Sequence, residues 1–97
     1  MTNAEVAHIW AHQQQESASG SNFFFEGRSI YSYGHHFEVG RIVVNRGSRI
    51  YLINSEKYSS TTSAHITIAE SSIPRATKLK TKYISDEFEF GFVVERV

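Results

Sequence analysis

The chain contains no cysteine. That excludes a disulfide framework, a thiolate nucleophile and a cysteine-ligated zinc, and it suits a reducing compartment. Neither charge is in excess: ten Lys and Arg balance ten Asp and Glu, for a formal net charge of +0. The bulk electrostatic footprint of a nucleic-acid binder is therefore missing, which leaves only the option of a local basic patch. Near-neutrality favours association over colloidal repulsion, so a homo-oligomer stays open. Apolar runs are only a few residues long, too short for a membrane-spanning helix. The polar, acidic N-terminus has neither the basic start nor the apolar stretch of a signal peptide. The chain also lacks a P-loop, a glycine-rich dinucleotide turn, a nucleophile elbow and an EF-hand loop. These absences predict a soluble, intracellular protein without cofactor or resident metal, and make a binding module the default over an enzyme.

At 97 residues the chain suffices for one domain with a modest core. Its richest stretch is residues 23–41, with four of the seven Phe, two of the five Tyr, two of the five His and three of the six Gly. Thr2 and Glu5 have the spacing of a capping box. Val6, Ile9, Trp10 and Gln13 follow at helical spacing, which predicts an amphipathic helix from residue 3 to about 17. His8 and His12 share one of its faces. Residues 17–22, polar and holding Gly20, read as a loop.

Strands are expected over residues 23–26, 29–33, 37–44 and 49–54, with Ile30 facing one way and Tyr31 and Tyr33 the other. Asn45, Arg46, Gly47 and Ser48 form a hairpin turn in which Gly47 is free to take a positive φ. Val43, Val44, Ile50, Leu52 and Ile53 do not alternate cleanly, as befits a central pair covered on both faces. Residues 64–73 carry two signals. The β-branched run from His65 to Ile68 favours a strand. The hydroxyls of residues 59–63 before it and Pro74 after it favour a short helix, which is the reading adopted.

The tail predicts a hairpin turning at Ser85 and Asp86, with Tyr83 opposite Phe88, Lys82 opposite Glu89 and Leu79 opposite Phe92. One face then carries Leu79, Tyr83, Phe88, Phe90, Phe92 and Val94, and the other carries Lys78, Lys80, Lys82, Glu87 and Glu89. The expected fold class is α+β: an N-terminal helix on a mostly antiparallel sheet of five or six strands, a short second helix and a C-terminal β-hairpin.

Chemistry has few candidates. His12, His36 and His65 are the residues for acid–base work, with Arg41 placed to stabilise an anion, as metal-free RNA cleavage would need. His35 and His36 are adjacent, so on a strand they point to opposite faces and do not share an ion. Arg75, Lys78, Lys80 and Lys82 form the basic cluster that would follow a phosphate backbone. The hydroxyls of Tyr31, Tyr33 and Tyr51 are candidates for the rim of an interface.

The order of Trp10-Ala11-His12-Gln13, Phe25-Glu26-Gly27, Ile30-Tyr31-Ser32-Tyr33-Gly34, His36-Phe37, Arg41, Tyr58-Ser59, Thr61-Thr62 and His65-Ile66 resembles a family of small uncharacterised proteins. Members of that family are found in bacteriophage genomes and other mobile elements. The resemblance spans residues 6–73. It implies an origin, and with it the cytoplasm of a bacterial host, and no mechanism. It matches His12, His36 and His65 but not His8 or His35. The chain departs from the family at Glu38, Val39 and Gly40, where Pro, Ile and Ala are more usual, and again after Pro74.

Together these readings lead to an expected phage-borne accessory protein that binds a host protein or ribonucleoprotein complex. An inhibitor of CRISPR machinery is the most concrete form, with an interface on the tail at Lys78, Lys80, Lys82, Glu87 and Glu89. A nucleic-acid binder using residues 75–82 and a small His-dependent nuclease are the alternatives.

Overall fold

The structure is a computed structural model and describes residues 1–56, 59–74, 77–81 and 84. Helix α1, Asn3–His12, begins where the sequence signals it. The Thr2 hydroxyl accepts from the Glu5 N–H at 3.1 Å, and the Glu5 carboxylate accepts from the Thr2 N–H at 2.9 Å. That backbone bond holds the Glu5 carboxyl below its usual range. Val6, Ala7, Trp10 and Ala11 are buried along one stripe.

The helix stops five residues short of the expected end near residue 17. Gln13 turns left-handed at φ 52, and its side-chain amide donates to the carbonyls of Trp10 and Gly27, each at 2.9 Å. The polar residues after it bring no apolar stripe to bury, so nothing rewards further helix. The segment expected as a loop instead supplies an edge strand, β1, Ser17–Ser19.

Strands β2, Phe23–Glu26, and β3, Ser29–Ser32, form a hairpin around Gly27. Strands β4, Glu38–Asn45, and β5, Ser48–Asn54, are joined by Arg46 at φ 53 and Gly47 at φ 82. Two left-handed central residues match the right-handed twist of the flanking strands. Helix α2, Ser60–Ser72, follows. The Ser59 hydroxyl caps it by accepting from the Thr62 N–H at 3.1 Å. The helical reading of residues 64–73 therefore holds, and the cap overrides the β-branched signal. Strand β6, Thr77–Thr81, closes the described fold.

The sheet runs β1-β2-β3-β4-β5-β6, an α+β arrangement of the expected kind. Its first four pairings are antiparallel, while β6 pairs parallel to β5, so β5, α2 and β6 make a crossover unit. β6 was expected as one arm of the tail hairpin. The other arm and the turn at Ser85 and Asp86 lie outside the described residues. Among the described residues, no helix is long and apolar enough to cross a membrane.

Alternation sorts the sheet into two faces. The inner face gives Phe23, Phe25, Ile30, Val39, Ile42, Tyr51 and Ile53 to a core shared with Val6, Trp10 and Ala69 of the helices. The outer face buries Val43, Ile50 and Leu52, with Leu79 and Ile84 packed against them. The central pair is thus covered on both faces, as its unbroken apolar pattern implies. Trp10 anchors α1. Its Nε1 donates to the Arg28 carbonyl at 2.8 Å, and its ring meets Tyr51 edge-on at 5.9 Å.

Candidate functional site

Three consecutive Phe on β2 must split between the faces of the sheet. Phe23 and Phe25 are buried inward, so Phe24 projects from the outer face. Its cross-strand partner is Tyr31. The two rings lie 5.2 Å apart and 27° from parallel, and both side chains stay partly accessible. The β3–β4 loop begins with Tyr33 at φ 67 and folds His35 over this pair. The imidazole lies 5.1 Å from Phe24 and 4.9 Å from Tyr31, with Nε2 2.8 Å from the Glu26 carboxylate. Tyr33 is 49% exposed, and its ring lies 6.0 Å from that of His65 on α2, on the helix side of the sheet.

Beside this aromatic platform is a cleft of about 400 Å³ lined by His35, His36, Phe37, Glu38, Asn54 and Glu56. The expectation that His35 and His36 face apart is corrected. They sit in a loop rather than on a strand, and both line the cleft. The cleft's wall is held by side-chain hydrogen bonds. Asn54 donates to the Glu38 carbonyl at 2.9 Å and accepts from the Glu56 N–H at 2.8 Å. Arg41 grips the Glu38 carboxylate through two bonds of 2.8 and 2.9 Å, and both side chains are largely buried. The guanidinium proposed for an anion is thus bound to a carboxylate of its own chain.

On the opposite side of the sheet, His65 of α2 is 4% exposed. Its Nδ1 lies 2.7 Å from the Ser32 hydroxyl, and its ring stacks on Phe23 at 4.6 Å. Asn3 faces Nε2 at 3.5 Å. The Asn3 carbonyl oxygen accepts from the Ser21 N–H at 2.9 Å, so its amide nitrogen is the group turned to His65. Nε2 therefore accepts, and Nδ1 carries the proton and donates to Ser32. Ser32 and Thr62 are fully buried, with hydroxyls 3.3 Å apart. Burial pushes the His65 imidazole below its ordinary pKa. The Ser–His pair has the composition of a nucleophile and base, but the Ser32 hydroxyl is fully buried and only 4% of His65 is exposed, and its geometry ties α2 to β3 and α1.

The other sequence candidates are placed apart. His12 is exposed on the last turn of α1, with Nδ1 2.9 Å from the His8 carbonyl. Among the described residues, no three His, Asp or Glu side chains gather as a metal site. Tyr51 leaves the expected rim: it is buried, and its hydroxyl donates to the Ala11 carbonyl at 2.5 Å. Lys78 and Lys80 are exposed on β6, alternating with half-buried Leu79, and Lys80 pairs with Glu70 of α2 at 3.4 Å. They therefore project on the helix side, away from the aromatic platform. Lys82, Glu87, Glu89, Arg75 and Tyr58 lie outside the described residues.

No protein-family model matches the chain, and neither does any curated protein or solved structure.

Proposed function

We propose that this is a binding protein of bacteriophage or mobile-element origin that acts on a host protein, most concretely as an inhibitor of CRISPR-type defence. The observation that carries the reading is the outer sheet face. Phe24, Tyr31 and His35 form a partly exposed aromatic platform on paired strands, continuous through His35 with the cleft. Rigid aromatic side chains on a fixed scaffold lose little entropy on binding and are the usual anchors of protein interfaces.

The charge distribution favours protein over nucleic acid as the partner. The platform and cleft carry Glu26, Glu38 and Glu56, and Arg41 is committed to Glu38. A phosphate backbone laid on this face would meet carboxylates. The second reading, a nucleic-acid binder along residues 75–82, rests on exposed Lys78 and Lys80 on one side of β6. These lysines and the aromatic platform lie on opposite faces, so stacking and phosphate contacts would not fall on one strand of nucleic acid.

The test is capture from bacterial lysate with the tagged protein, nuclease-treated, with Tyr31→Ala and His35→Ala in parallel. A host protein retained in stoichiometric amount by the unaltered chain and lost from both variants supports the reading. Retention that disappears with nuclease moves the function to the basic strand.

A further inference from the structure

Helix α1 presents His8 and His12 one turn apart, and both side chains are exposed. Their rings lie against each other with centroids 4.2 Å apart, tilted by 32°. Nδ1 of His12 is 2.9 Å from the His8 carbonyl oxygen. A carbonyl only accepts, so Nδ1 carries the proton and Nε2 keeps its lone pair. A backbone carbonyl on the non-ligating ring nitrogen is how metal-binding histidines are commonly fixed in tautomer and orientation. Two His at i and i+4 on one helical face are also the spacing by which helices chelate zinc.

We propose that His8 and His12 form a two-imidazole site for a divalent transition metal, Cu²⁺, Ni²⁺ or Zn²⁺, with water in the remaining positions. Glu5, one turn earlier, has its carboxylate drawn back to the Thr2 N–H by the capping box and does not gather with the two imidazoles as a third ligand. The site is therefore open-sided, consistent with the absence of a three-ligand cluster among the described residues. Imidazole ligands select these ions over Mg²⁺ and Ca²⁺, which require oxygen donors. The spacing exists only while α1 is helical, so the metal binds the folded state and raises its melting temperature.

The experiment uses the full chain without a histidine tag at neutral pH. Thermal unfolding is followed with NiCl2, CuCl2 or MgCl2, and amide NMR signals are followed during addition of Cu²⁺. The expected result is a rise in Tm with Ni²⁺ and Cu²⁺ and none with Mg²⁺, with line broadening centred on α1. His8→Gln and His12→Gln each abolish both effects. Gln is a good helix former and both sites are exposed, so either variant keeps the fold. No Tm rise in the unaltered chain, broadening centred on residues 33–37, or a rise that survives His8→Gln would overturn the proposal.

Discussion

His65 is neutral in the fold because burial disfavours its charged form and Asn3 turns a donor toward Nε2. Protonation would set two donors against each other beside the Phe23 ring. The unfolded chain has no such restraint and takes up protons near the ordinary imidazole pKa of about 6.5. A lowered folded pKa means the unfolded state binds more protons in that range, so stability rises with pH. The contribution is complete above the unfolded value and is lost as pH falls below it. The urea midpoint should therefore drop between about pH 7.5 and about pH 5.5, and His65→Gln should show a smaller drop from a lower starting stability. Ser32→Ala should cost about 1–3 kcal/mol by chemical denaturation, because it strands the buried His65 N–H.

Between elements, α1 approaches β4 closely at Gly40. A Cβ at Gly40 would stand 3.0 Å from Cη2 of Trp10 and 3.2 Å from the Leu52 carbonyl. Gly40→Ala should therefore destabilise by about 1–3 kcal/mol through overpacking, measured by the urea midpoint. Losing the Thr2 cap as Thr2→Ala should cost about 0.5–2 kcal/mol. The capping box, the β4–β5 turn and the two-sided burial of β4 and β5 were legible in the sequence, since each is written in neighbouring residues. The early end of α1 was not. Beyond the polar run that follows, the exact stop uses the Gly27 carbonyl, which accepts from Gln13 across fourteen positions. The parallel pairing of β6 was equally hidden, because it needs α2 to carry the chain back across the sheet. Trp10, Gln13 and Gly27, three residues of the sequence motifs, meet in that same clamp. Ser32, Ser59, Thr62 and His65 meet in another. Such contacts suffice to explain these residues as determinants of the fold.

Across the whole molecule, both helices lie on one side of the sheet and the aromatic platform lies on the other. The Phe23-Phe24-Phe25 alternation and Tyr31 carried a signal for the platform, since one Phe of three must face outward. The placement of His35 did not, because a loop rather than strand periodicity sets it. The binding reading depends on this face. The most direct measurement is nuclease-treated capture from bacterial lysate by the unaltered chain and by Tyr31→Ala, read by mass spectrometry. The account predicts a stoichiometric host protein held by the first and lost from the second. A partner held equally by both, or only nucleic acid recovered before nuclease treatment, would contradict it.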